Sequence, residues 1–415
     1  MVEKRYEWLD GATLDDHSRR KHKILREYFF QYLMVRCQLP QQSKFRLAVV
    51  DGFSGGGRYQ CGAAGSPVIF IEELKRAITS ININRATQGL GLVTIECLLI
   101  LNDADKNVTE LLKHNITPLV IEGQETSSLL KIQVEYFSEP FEHVYPKIKD
   151  LLLKYRYRNV LFNLDQCGHS HVDRKTIFDI TRSNPSAEIF YTFAIEALVS
   201  FLRKSEPALI ANQLAAVGLG MNDLRALEGQ MNKNSWLGTA ERLVFRAFKE
   251  CAPYVSPFSI NNPQGWRYWL IHFATSYKAR QVYNNILHEN SSAQAHFGRS
   301  GLNMLSYDPA QDGTLYLFGE SDRENATDEL LEDIPRLIAE SGDTVLVSEF
   351  YASIYNETPA HSDDVHTAII QSTEIEVHTA GGGTRRKANT ITAMDTLKFK
   401  SQRSFFPLFN SALKK

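Results

Sequence analysis

LAVVDGFSGGGRY, residues 47–59, reads as an apolar, β-branched run, then an acid, then a cluster of glycines. A helix-forming segment opens after Ser66-Pro67. An apolar run of this kind is a buried parallel strand, and the glycines after it let backbone come close to a ligand. A dinucleotide fingerprint places G-x-G-x-x-G directly after such a strand. Gly55 and Gly57 supply the first two glycines, but position 60 is Gln. The Gly-Lys-Ser/Thr of a Walker loop is absent. Asp51 at the strand end, followed by Phe-x-Gly-x-Gly, suits a ligand with a cationic amino acid end.

Outward from this stretch, strands and helices alternate. Strands are expected at 46–51, 93–102, 131–137, 159–164 and 187–193, with helices at 67–79, 105–114, 141–154 and 172–182. That repetition builds an α/β fold with a doubly wound, Rossmann-like, mostly parallel sheet. Right-handed crossovers place the ligand at the carboxyl ends of the strands. Asp51, Asp103, Glu139 and Asp165 fall at those ends. Before the first strand, residues 17–36 carry apolar side chains at 24, 25, 28, 29, 32 and 33, the spacing of an amphipathic helix. Its other face holds Arg19, Arg20, Lys23 and Arg26, either a solvated face or a phosphate-facing patch.

The expected organisation is an amino-terminal helical segment over 1–45 and a ligand-binding domain over 46–300. Within that domain, 205–251 is a helical insertion, 266–276 a strand and 278–289 a helix. A polar linker over 301–326, with a short strand at 315–318, leads to a winged-helix-like domain over 327–415. There, helices at 327–341, 345–356 and 361–372 precede a hairpin with its turn at Gly381, Gly382 and Gly383. The chain has 415 residues and a net charge of −2, so nucleic-acid binding has to come from local patches. Its five cysteines are scattered, with no C-x-x-C, which predicts reduced thiols in a cytoplasm and no zinc site. No export signal or membrane span is expected.

The chemistry-bearing residues group by strand end. Gly52, Phe53, Gly55 and Gly57 would present backbone N–H groups to a carboxylate, and Asp51 would hold an ammonium. S-adenosylmethionine (SAM) is a ligand with both. Asp103 would take ribose hydroxyls, with Asp105 as the alternative; either acid also suits a helix N-cap. Ser138 or Glu139 would lie near an adenine amino group, or simply turn the chain before Pro140. After the fourth strand, Asp165, Gln166 and His169 would reach the space beside the ligand's methyl group, Asp165 orienting or deprotonating an acceptor nitrogen. Cys167 reads as a small buried thiol. His169 and His171 are poorly spaced for a metal. Glu196 is either a further site acid or a first-turn helix acid. In the hairpin, Arg385, Arg386 and Lys387 form a basic wing suited to phosphate, beside an acidic presumptive recognition helix, SDDVHTAIIQSTE.

The segments HSRRKHKILREYF, DGFSGGGRYQCGAAGSP, NLDQCGHSHV and WLIHFATSYKARQVYNNILH resemble the three-Cys-motif partner (TcmP) family over residues 15–300. The trailing region is similar to the module attached to many of its members. The resemblance implies a class I methyltransferase-like fold with Asp51, Phe53, Gly55 and Gly57 in the SAM loop and Asp103 at the ribose. It also implies a three-cysteine, radical-SAM-like partner protein and a phage-defence or mobile-element setting. Family members commonly carry Asp-Pro-Tyr/Phe-Gly at the fourth strand; this chain has Asp165-Gln166-Cys167-Gly168. The missing aromatic is the residue that would stack on a flipped base. Two functions are therefore carried forward: a methyltransferase acting on nucleic acid, and a catalytically decayed SAM- or nucleotide-binding scaffold that docks a partner protein.

Overall fold

The computed structural model describes residues 7–166, 168, 170–195, 217–220, 243–261, 267–290, 294–296 and 320–400. The chain divides into two compact units, one built from residues 1–298 with 308–318, the other from 299–307 with 319–415.

The first unit is a sheet of eight strands in the order β3-β2-β1-β4-β5-β7-β6-β8. The strands are β1 (Lys44–Asp51), β2 (Thr94–Asn102), β3 (Leu130–Phe137), β4 (Asn159–Leu164), β5 (Ser186–Phe193), β6 (Tyr254–Asn261), β7 (Arg267–Ala274) and β8 (Gln294–His296). Strands β1 to β5 are parallel. Strand β7 runs against both β5 and β6, so β6 points the same way as the parallel set. The middle of the five parallel strands is β1, where Leu47, Ala48, Val49 and Val50 are fully buried. It is also the switch point, because the chain leaves β1 toward β2 on one side and returns through β4 on the other. The ends of β1, β2 and β4 are level: Asp51 lies opposite Leu101 and Asn163.

The helices of this unit are α1 (Asp16–Arg36), α2 (Ser66–Thr87), α3 (Lys106–Thr126), α4 (Phe141–Lys154), α5 (Arg174–Ser183) and α6 (Tyr277–Glu289). Helix α1 buries Ile24, Leu25, Tyr28, Phe29, Tyr32 and Leu33, the six positions its spacing predicts, against α2 and α6. Part of its basic face is spent on α2: Arg26 bonds Glu72 at 2.6 Å and Glu73 at 2.7 Å. The turn from α1 to β1 is clasped by Arg85 of α2, whose guanidinium donates to the carbonyls of Cys37, Leu39, Pro40, Gln42 and Gly91.

Several expectations need revision. Helix α3 does not stop at 114 but continues through Pro118, which is exposed, so the missing backbone bond faces water. Helix α2 likewise runs eight residues beyond its expected end at 79. Strand β6 lies just after the expected insertion and carries Pro257, which hides strand character. Pro257 stands just outside the short pairing with β8, where among the described residues the strand has a neighbour on one side only. Of the expected insertion over 205–251, the described residues show a helix at 243–249; most of the rest, and the strand expected at 315–318, lie outside the described residues. No helix among the described residues is long and apolar enough to cross a membrane.

The second unit contains α7 (Glu320–Glu340), β9 (Thr344–Leu346), α8 (Val347–Ile354), α9 (Ser362–Gln371), β10 (Ile375–His378) and β11 (Thr396–Phe399). Its sheet has the order β10-β11-β9, all antiparallel. Helix α7 begins seven residues before the expected start, inside the stretch read as linker. Leu330, Ile334 and Ile338 of α7 close a core with Phe350, Tyr355, Val365, Ile369 and Leu397. The glycine turn sits beside β10, with Gly382 at φ +81°, a conformation that suits glycine.

Candidate functional site

Asp51 is wholly buried at the end of β1. One carboxylate oxygen accepts from Asn163 Nδ2 at 3.1 Å. The other, Oδ2, completes no hydrogen bond of good geometry among the described residues. Burial pushes this carboxyl up to about 7; Ser66, Asn163 and the Phe53 N–H oppose the rise, and the Asp165 charge adds to it. A buried acid with an uncommitted oxygen is costly unless it serves a cation.

The loops after β1, β2 and β3 are stitched by Asn102, which is 1% exposed. Its Nδ2 donates to Gly52 O at 3.0 Å and Glu139 O at 2.9 Å, and its Oδ1 accepts from Glu139 N at 3.3 Å. Ser54 doubles the stitch through Asn102 O and N. Asp103 caps this arrangement. Its Oδ2 accepts from the Gly55 N–H at 3.1 Å and its Oδ1 from Asp105 N at 3.0 Å. Burial raises the Asp103 carboxyl, and those two N–H groups temper the rise. Asp105 accepts from Asn107 N at 2.8 Å and is the N-cap of α3.

The glycines are each needed, though for contacts within the protein. A Cβ at Gly52 would come within 2.8 Å of the Phe141 ring, and one at Gly57 within 3.0 Å of Leu112. Gly55 lies under the indole of Trp8. Phe53 is half-buried beside Phe141 and His171, with ring centroids at 5.8 and 6.4 Å. Glu139 is 37% exposed and paired with Lys147, so its side chain turns along α4.

After β4, Asp165 forms an ion pair with Lys21 of α1, a lysine only 7% exposed. Burial alone would raise the Asp165 carboxyl; the Lys21 ammonium overrides it and holds the group below its ordinary value. His22 is buried alongside, its Nδ1 unpartnered among the described residues. Burial pushes His22 down to about 4 against the attraction of Asp165, so the ring is neutral at pH 7. Gln166 is 2% exposed and fully engaged: Nε2 donates to Tyr191 Oη at 2.7 Å, and Oε1 accepts from His171 N at 2.9 Å and Val172 N at 3.2 Å. It builds the loop rather than reaching out of it. His169, Cys167 and Glu196 lie outside the described residues.

The structure therefore brings Asp51, Gly52, Phe53, Gly55, Gly57, Asp103 and Asp165 to one edge of the sheet. It adds three residues that reading the sequence missed: Asn102, Lys21 and His22. The signal for Asn102 was a polar residue ending an otherwise apolar strand. Lys21 and His22 sit within the HSRRKHK segment, one turn ahead of the apolar stripe.

In the second unit, Arg385 braces the wing. Its guanidinium bonds Asp395 at 3.0 and 3.2 Å, and Asp395 is buried. Arg386 and Lys387 are exposed. Helix α9 offers no Lys or Arg; Asp364 is paired with Arg323 at 2.6 Å, and Asp363 is exposed. Residues 320–400 hold sixteen Asp and Glu against seven Lys and Arg, and five of those seven fall at 385–400, in and beside the wing. Arg385→Ala is expected to destabilise this unit by about 2 kcal/mol, because Asp395 stays buried without its partner. Urea unfolding of the full chain measures it; no change would make the brace an ordinary surface pair.

A family model described as a GMT-like winged helix-turn-helix (wHTH) domain matches residues 306–382. The match takes in α7 through β10 and ends in the glycine turn, and the carboxy-terminal unit is a winged helix-turn-helix. A search of curated proteins finds no match to the chain.

Proposed function

We propose that the first unit is a SAM-binding, class I methyltransferase-like domain acting on nucleic acid, with the winged helix as its second contact. The observation that carries the reading is Asp51: a fully buried carboxylate at the sheet's switch point, one oxygen without a hydrogen bond of good geometry among the described residues, beside a loop of three glycines. That group fits the α-amino end of SAM. The β3-β2-β1-β4-β5 order supports a nucleoside ligand at the strand ends. The reversed β7 between β5 and β6 departs from the all-parallel dinucleotide-binding order and favours the methyltransferase type.

When bound, SAM supplies an electrophilic methyl group. Asp51 would hold its ammonium and Asp103 its ribose. Asp165, kept ionised by Lys21, would accept a hydrogen bond from an acceptor amine and orient it rather than take its proton. Arg386 and Lys387 would meet phosphate.

The second reading, a SAM-binding scaffold without transfer, is favoured by Gln166. Its carboxamide is spent on the loop, and the aromatic that would stack on a base is missing. In either case the three-cysteine partner and the phage-defence setting remain proposals that rest on the family resemblance.

Calorimetric titration of the full chain with SAM tests the pocket; no binding at millimolar ligand removes both readings. Incubation with methyl-labelled SAM and DNA, RNA or the partner protein separates transfer from scaffolding. Arg386→Glu with Lys387→Glu is expected to lower nucleic-acid affinity and to cut the salt slope by about 2. An unchanged slope makes the wing a protein-contact surface.

A further inference from the structure

Both approaches to the Gly55 peptide are taken by the protein itself. On one side is Trp8: a Cβ built at position 55 would lie 2.2 Å from its Cζ2 and 2.4 Å from its Cε2. The indole extends over Gly56, where a Cβ would lie 3.1 Å from Cε3. On the other side, the Gly55 N–H donates to Asp103 Oδ2 at 3.1 Å. The peptide assigned above to the ligand's carboxylate and the acid assigned to its ribose thus satisfy each other.

Trp8 arrives on a short segment ahead of α1. That segment is fastened at its far end, where Gln60 N donates to Ala12 O at 2.9 Å and Ala12 is 3% exposed. Gly11 packs on the Gln60 side chain. Nearer its start the segment carries the indole, flanked by Tyr59 with ring centroids 5.0 Å apart. The neighbouring Leu9 is 58% exposed, and Trp8 is only half-buried. Of residues 7–12, three are exposed and Ala12 alone is buried, the profile of an element that opens locally at low cost.

We propose that residues 7–12 form a strap that closes the glycine loop by seating Trp8 on Gly55, and that the ligand of this site enters only when Trp8 leaves. The proposal rests on the SAM reading for the identity of the ligand. The loop glycines at 55 and 56 are then read twice, once by an indole and once by the ligand. Apparent affinity is reduced by the fraction of molecules whose strap is open.

The test uses the full chain as wild type, Trp8→Phe and Trp8→Ala. Titration with SAM is expected to show Trp8→Ala binding about 10-fold tighter than wild type, the effect of an open fraction near one in ten, with Trp8→Phe between. Hydrogen exchange at the Gln60 amide is expected to quicken in Trp8→Ala without ligand, and in wild type on adding SAM. Equal or weaker SAM binding by Trp8→Ala overturns the strap and makes Trp8 a wall of the ligand site. If no variant binds SAM, the SAM reading falls, and exchange alone decides the strap. Unchanged exchange at Gln60 in Trp8→Ala overturns it, and faster exchange upholds it.

Discussion

Asp51→Asn is expected to abolish SAM binding while making the protein more resistant to heat. The two effects share one cause. Burial pushes the Asp51 carboxyl up to about 7, so the folded chain keeps this proton where the unfolded chain has already released it. Between about pH 4 and pH 7 the folded state holds more protons, and its stability falls as pH rises. A displacement of about three pK units corresponds to about 4 kcal/mol, an upper bound, present in full above pH 7. Asparagine is neutral throughout and escapes that cost. The melting temperature of Asp51→Asn should therefore exceed that of wild type, by more at pH 8 than at pH 5. SAM affinity should fall at least 100-fold, because a charge-assisted hydrogen bond is lost. In wild type, SAM affinity should rise from pH 5.5 to 7 as the carboxyl ionises. A variant that melts lower at both pH values would show that Asp51 is a structural acid with its needs met inside the fold.

Lys21→Met should be a damaging change at the site, costing about 2 kcal/mol of stability, because the partly buried Asp165, 23% exposed, loses its ammonium. Lys21→Met with Asp165→Asn should recover most of that loss, since the neutral pair asks for no counter-charge. Denaturant unfolding of the four proteins in the cycle measures the coupling. A coupling under about 1 kcal/mol would place the pair with ordinary surface salt bridges. The His22 ring offers a second readout. It lies near both partners, and loss of the Lys21 charge alone should raise its titration, with burial still holding it below the ordinary value.

Much of the architecture could be read from residue spacing, because burial imposes a period. The six apolar positions of α1 and the five parallel strands each repeat at the interval their packing requires. What spacing could not reveal was polar burial. Lys21 and His22 occupy the buried side of α1 only because Asp165 comes to meet them from 144 residues away. Trp8 looks like an ordinary residue of a polar amino-terminus until Gly55 and Gly56 are beneath it. Strand β6 was hidden by Pro257, which a strand with an open side tolerates. For Gly55, the glycine cluster correctly announced a close approach but did not identify what approaches.

Helix α1 precedes the whole sheet in the chain, yet it cannot finish packing until residues far beyond it are made. Its Tyr28 bonds Glu188 at 2.5 Å, and its Glu27 pairs with Asn290. Those partners are synthesised 160 and 263 residues later. At about 5–20 residues per second, the part of α1's apolar side that α6 covers is bare for about ten seconds or longer. During that interval it is bait for a chaperone or for another nascent copy. The fold thus imposes a long delay on α1, and anything that slows translation between β5 and α6 lengthens that exposure.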